Sequence, residues 1–145
     1  MLLSYRSRSE KELKERLEKK GFSESHIYGT LRRLKQAGFI DDHALALDLK
    51  RQAFNNKLLG HKSAKQFLLS RGLPDEIVNT ALIYDEETEK QTIQKLIEKK
   101  LKTMGDYPDK KKEKKLWDFL VRKGYTFSTI RDAFHNFIKV EEEKE

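Results

Sequence analysis

The sequence contains no cysteine in its 145 residues. Disulfides, thiolate nucleophiles and cysteine-based metal sites are therefore excluded, and a reducing cytoplasm is the expected location. No apolar run approaches the roughly 18–20 residues needed to cross a bilayer, so no membrane is expected among the partners. Arg6, Arg8, Lys11 and Glu12 follow Met1-Leu2-Leu3 too closely for a secretory signal. Gly21, Gly38, Gly60 and Gly72 stand singly, so there is no glycine-rich phosphate loop. The four histidines, His26, His43, His61 and His135, fall at no metal-ligand spacing and read as surface or cap residues. Asp41 and Asp42 are adjacent at a helix start, where their side chains diverge, so they read as caps and not as an acid–base pair. Without a nucleophile, a metal cluster or a phosphate loop, neither an enzyme nor a cofactor is expected.

Charge, by contrast, is abundant. Charged residues make up 38% of the chain and hydrophobic ones 37%, so any core must be thin and spread out. The formal net charge is +7 and the pI about 9.5. Such a balance serves solubility, and it also suits a polyanionic partner.

Three segments say nearly the same thing: ELKERLEKKGFSESHIYGTL (12–31), SAKQFLLSRGLPDEIVNTAL (63–82) and KKLWDFLVRKGYTFSTIRDAF (114–134). Aligned on Gly21, Gly72 and Gly124, they repeat at intervals of 51 and 52 residues. Leu17, Leu68 and Leu120 stand four residues before the glycines, and Ile27, Val78 and Ile130 six after. Leu31, Leu82 and Phe134 stand ten after; Leu13, Ala64 and Leu116 stand eight before. A repeat of this period is one supersecondary unit copied along a line, which favours an extended binding surface over a central pocket.

With two prolines and a period near 3.6 almost throughout, the whole chain reads as helical. Ser9 and Glu12 form a capping box, and Ser23 caps the next helix. Gly21, Gly38, Gly72 and Gly124 end helices in the left-handed conformation, with Phe22 expected to pack back over the first of these ends. Further helices are predicted over about 43–57, from Ser63 to Gly72, from Pro74, through about 104, and on either side of Gly124. The expected fold is all-α, an elongated array of tandem three-helix repeats. Residues 1–40 form repeat 1, with its first helix truncated; 41–84 form repeat 2; 85–140 form repeat 3; and 141–145 are a frayed tail.

The basic residues cluster. Residues 1–40 hold ten Lys and Arg against five Asp and Glu, and residues 99–123 hold ten against four. Each helix before an aligned glycine carries them: Lys11, Lys14 and Lys19; Lys62, Lys65 and Arg71; and Lys110 to Lys112 with Lys114 and Lys115. A basic position repeated on stacked units makes a stripe able to follow a phosphate backbone. The plainer alternative is a set of solvated helix faces, with pairs such as Glu10–Lys14 and Glu15–Lys19. Trp117 and Phe119 read as core, so no base-stacking aromatics are expected between the lysines. Tyr5, Tyr28 and Tyr107 are candidates for exposure.

The run Arg8-Ser9-x-x-Glu12-Leu13-x-x-x-Leu17-x-x-x-Gly21, then Ile27, Leu34 and Gly38-Phe39-Ile40-Asp41-Asp42 with Ala44 and Ala46, resembles the RecX regulatory proteins. The resemblance is strong over about 6–80, and beyond 85 only the repeat pattern carries it. It implies a non-enzymatic, cytoplasmic regulator of the RecA recombinase, built from three-helix units. Such a protein lies in the groove of the RecA–single-stranded DNA filament and inhibits ATP hydrolysis and strand exchange. On that reading the expected partners are the filament and its DNA, the chain is expected to act as a monomer, and Arg6, Arg8, Lys62, Lys65, Lys111, Lys112 and Lys115 are the expected contacts. The alternative is a free-standing DNA-binding protein of helix-turn-helix type, with Arg32 and Arg33 on its reading helix.

Overall fold

Helix signals are dense enough in this chain to account for nearly every residue. The computed structural model describes the backbone of residues 7–144 and the side chains of residues 7–135. Arg6, Tyr5 and the other residues before Ser7, where the truncated first helix of repeat 1 would fall, lie outside the described residues. Among those described there are eight α-helices and no strand. They are α1 (Glu10–Lys19), α2 (Glu24–Gln36), α3 (Asp42–Arg51), α4 (His61–Ser70), α5 (Asp75–Ala81), α6 (Glu86–Met104), α7 (Asp109–Arg122) and α8 (Phe127–Lys144). A π-helical turn, Gln52–Asn56, prolongs α3.

The local signals act as expected. Ser9 and Glu12 close a reciprocal capping box, with Ser9 Oγ accepting from Glu12 N–H at 3.1 Å and Glu12 Oε1 from Ser9 N–H at 2.9 Å. Ser23 accepts from His26 N–H, and Asp41 from Ala44 N–H. Gly21, Gly72 and Gly124 have φ of +87°, +82° and +94°, the left-handed region that a side chain disfavours. The repeat positions also face the core. Leu13, Ala64 and Leu116 are buried, as are Ile27, Val78 and Ile130.

Four expectations need correction. Phe22 is 52% exposed, because the end of α1 closes through backbone bonds to Leu17 and Glu18 without help from the ring. Glu10 pairs at 2.9 Å with Lys35 of α2, where the sequence paired it with Lys14. Helix α4 starts at His61, two residues before Ser63, because Glu89 Oε1 accepts the His61 N–H at 3.0 Å. The last helix continues to Lys144, through most of the segment expected to fray; glutamate and lysine are good helix formers.

The chain divides into two compact units: residues up to Asn56 with Lys65–Ile83, and Lys57–Ala64 with Tyr84 onward. Within each unit three contacts fall on the same three positions at the start of the earlier copy, although the residues that reach them differ. In the first, Asp42 accepts the Glu10 N–H at 3.0 Å, Gly72 lies against Ser9 and Lys11, and Arg71 donates to the Ser7 carbonyl at 2.8 Å. In the second, Glu89 accepts the His61 N–H, Gly124 lies against Gly60 and Ser63, and Tyr125 Oη donates to the Leu58 carbonyl at 2.8 Å. Counted back from Gly21 and Gly72, the receiving positions are the same: 11, 12 and 14 residues earlier. A helix N-terminus has free N–H groups, and here a carboxylate from the next copy satisfies one of them while that copy's glycine turn sits beside it. Helix α7 departs from the pattern. It starts 15 residues before its glycine, not 11 as α1 and α4 do. The extra turn is Asp109 to Lys112, and it carries three lysines.

Burial raises the Asp42 carboxyl above its ordinary 3.8, with the Glu10 N–H bond opposing the shift. The native form then holds its proton more tightly than the unfolded chain. This group's contribution to stability is full below the unfolded value and is lost as pH rises through the native one. Asp42→Asn keeps a carbonyl acceptor for Glu10 but has no charge to desolvate. Its urea midpoint, relative to the unmodified chain, is expected to rise between pH of about 3 and about 7. A difference that stays constant across that range would show that the burial carries no penalty.

Candidate nucleic-acid interface

The basic residues do not form one patch. Arg8 precedes the Ser9 cap and is half-buried. It lines a shallow depression of about 440 Å³ with Glu12, Glu15, Arg16 and Lys19 of α1 and with Lys20, which follows the helix. Its surroundings are therefore of mixed sign. On α4, Lys62 is exposed and Lys65 half-buried, three residues apart and so on one side of the helix. Arg71, which the sequence placed with these cations, is engaged in the fold. Its guanidinium holds Glu12 through two bonds, Nε to Oε2 at 3.0 Å and Nη2 to Oε1 at 3.3 Å. A guanidinium committed in this way to a carboxylate and the Ser7 carbonyl has few donors left for a phosphate.

The second unit is the more concentrated site. Lys111 and Lys115 are one turn apart on α7, and their ammonium groups lie 4.9 and 4.4 Å from the centre of the Tyr107 ring. Tyr107 is itself 41% exposed. Lys112, between them in sequence, is half-buried. Lys100 and Lys123 approach the Phe119 ring at 4.8 and 5.7 Å. Aromatic rings and ammonium groups therefore do alternate here, contrary to the expectation that they would not. Cation–π contact holds the ammonium groups over the rings while leaving their other donors to solvent or a ligand. The signal in the sequence was Tyr107 at four and eight residues before Lys111 and Lys115. It was obscured because Pro108 separates the tyrosine from the helix.

Of the expected contacts, then, the structure brings Lys111 and Lys115 together around one ring. Lys62 and Lys65 share a helix, Arg8 belongs with α1, and Arg6 lies outside the described residues. Phe119 and Trp117 pack against the core of the second unit but are only half-buried, where the sequence placed them within it. Sequence reasoning missed a groove of about 490 Å³ between α7 and α8, lined by Lys110, Glu113, Lys114 and Trp117 of α7 and by Arg131, Phe134 and His135 of α8. Among the described residues no group of three His, Cys, Asp or Glu side chains is placed to hold a metal ion, and no helix is long and apolar enough to cross a membrane.

Comparison with known proteins adds a family. Residues 87–134 match the family profile described as RecX, third three-helix domain, and residues 1–34 match RecX, first three-helix domain. A regulatory protein RecX from Chlorobaculum tepidum is 37% identical over 132 residues, covering 91% of this chain and 81% of that protein. One from Oceanobacillus iheyensis is 35% identical over 129 residues, which is 88% of this chain but 47% of that protein. The chain thus spans about half the length of some relatives and most of others. The crystal structure of RecX from Lactobacillus salivarius superimposes with a TM-score of 0.80 at 26% identity, covering 93% of this chain and 88% of the other.

Proposed function

This chain belongs to the RecX family of regulatory proteins, and from that premise we propose that it binds the RecA–single-stranded DNA filament along its groove and inhibits ATP hydrolysis and strand exchange. It does so in the cytoplasm, as a monomer and without chemistry of its own. The observation that supports the reading is that, among the described residues, exposed cations stand on α4 and α7 clear of any carboxylate. Lys62 on α4 and Lys111 and Lys115 on α7 are exposed. Among the described residues none of the three has a carboxylate within ion-pair distance. Many weak contacts along a polymer add, and electrostatic steering speeds their formation. Lys65 and Lys112, which are half-buried, contribute beside them, and Arg8, also half-buried, contributes at the start of α1.

RecA-dependent ATP hydrolysis on single-stranded DNA tests this. Hydrolysis is expected to fall on adding the chain, and the chain to co-sediment with filaments in a salt-sensitive manner. Replacing Lys111, Lys112 and Lys115 by alanine is expected to weaken co-sedimentation about ten-fold, because each lost phosphate contact removes a released counterion. Unchanged hydrolysis together with no co-sedimentation would overturn the reading. The helix-turn-helix alternative rests on one observation: Arg32 and Arg33 are exposed on α2. Sequence-selective binding to naked duplex DNA, lost on replacing both, would favour it instead.

A further inference from the structure

The helix pair that closes the second unit carries a groove that none of the expected contact residues explains. One side is a stripe of α7 at residues 110, 113, 114 and 117, the i, i+3, i+4, i+7 spacing of a single helix face. The other is a stripe of α8 at residues 131, 134 and 135. Its apolar wall is aromatic. The Trp117 ring lies 5.7 Å from Phe127, centre to centre, and 5.9 Å from Phe134. Phe127 is 58% exposed and Trp117 and Phe134 are half-buried, so this strip of rings is only partly taken up by the core.

Its charge is positive. Lys110, Lys114 and Arg131 are exposed beside the rings, against one carboxylate, Glu113. Among the described residues none of these three cations has an ion-pair partner. Lys110 stands on the extra first turn of α7, which α1 and α4 lack. The volume, about 490 Å³, is in the range of small-ligand clefts. A ligand that suits the groove has a flat apolar part beside a negative charge. A nucleotide has both, and in a single strand its base is free to leave the stack and lie on a side-chain ring. In a duplex the base faces are already covered by their neighbours.

We propose that the Lys110–Lys114–Trp117–Arg131–Phe134 groove is a binding site for single-stranded DNA, taking a base against the Trp117 and Phe134 rings and its flanking phosphates on the three cations. This deepens the filament reading by assigning the strand contact to α7 and α8 of the second unit. It rests on that reading for its ligand class alone.

Trp117 is the chain's single tryptophan, so its emission reports on the groove directly. The full chain is titrated with a short oligothymidylate while Trp117 fluorescence and the anisotropy of labelled strand are followed together. Saturable quenching is expected to track the anisotropy, weaken with salt, and exceed that produced by duplex of the same length. The triple variant Lys110→Ala, Lys114→Ala, Arg131→Ala alters only exposed side chains and is checked for unchanged helicity. Its affinity is expected to fall at least about ten-fold, and the slope of log affinity against log salt to shrink by about 2. Trp117→Leu, followed by anisotropy alone, is expected to weaken binding with the salt slope unchanged. Binding that leaves Trp117 emission untouched, or a triple variant that binds like the parent, would overturn the site. So would quenching by poly-glutamate at the same concentrations, since that would mark the groove as one for acidic protein. No recombinase is present in this titration. The groove can therefore fail while inhibition of RecA holds, and inhibition can fail while the groove still binds DNA.

Discussion

Gly124→Ala is expected to destabilise the chain by about 2–5 kcal/mol, roughly twice the effect of the same change at Gly21. Both glycines end helices with positive φ, +94° and +87°. An alanine held there costs about 1–2 kcal/mol from the crowding of its Cβ against the backbone. At Gly21 that is the whole effect, because a Cβ there would have nothing within 4 Å. At Gly124 a Cβ would meet Ser63, with the side-chain Cβ at 2.5 Å and the backbone nitrogen at 2.8 Å. That nitrogen belongs to the first turn of α4 and cannot move without moving the helix, which adds about 1–3 kcal/mol of overpacking. Gly60→Ala tests the same contact from the other side. Its Cβ would meet the Gly124 carbonyl carbon at 2.5 Å and the Tyr125 nitrogen at 2.6 Å, all backbone. Urea unfolding measures the series. Equal losses at Gly21 and Gly124 would show that the close approach of the two copies does not hold in solution.

The second large effect concerns three leucines that the repeat treats as one. Leu17, Leu68 and Leu120 each stand four residues before an aligned glycine. Leu68 and Leu120 are fully buried, whereas Leu17 is only half-buried at the margin of a small cluster. Truncating a fully buried leucine removes its transfer free energy and leaves a cavity, for a loss of about 3–5 kcal/mol. Leu68→Ala and Leu120→Ala are expected to reach that range. Leu17→Ala, with part of the side chain already in water, is expected to lose about 1 kcal/mol. Thermal or urea denaturation of the three variants would decide it, and a uniform loss across the three would contradict the unequal burial.

Much of the candidate site was legible before the fold, and its failures have particular causes. The lysines of α7 stand out by their density alone. That Lys111 and Lys115 flank Tyr107 did not, because a proline and a helix start intervene between them. Arg71 looked like one more cation of the stripe, yet its guanidinium is spent on Glu12, 59 residues away in sequence. Trp117 read as core from its neighbours Leu116 and Leu120. It is in fact half in the core and half in a groove, because its helix turns Lys110 and Lys114 to the same face as its ring.

By itself the sequence determined what is local: the helices, their serine and aspartate caps, the glycines that end them and the period that copies them. These depend on residues within about one or two turns of each other, so the chain specifies them wherever it goes. It also determined the family, through Gly38 to Asp42 and the spacing around Gly21. Only the tertiary structure decided which of three equivalent positions is covered. Phe22 is exposed, while its counterparts Leu73 and Tyr125 are buried. Periodicity assigns a residue to a face, but what lies against that face can come from another copy, as the Leu58 carbonyl reaches Tyr125 across 67 residues of sequence. No window of sequence contains both partners, and so only packing distinguishes one copy of the motif from the next.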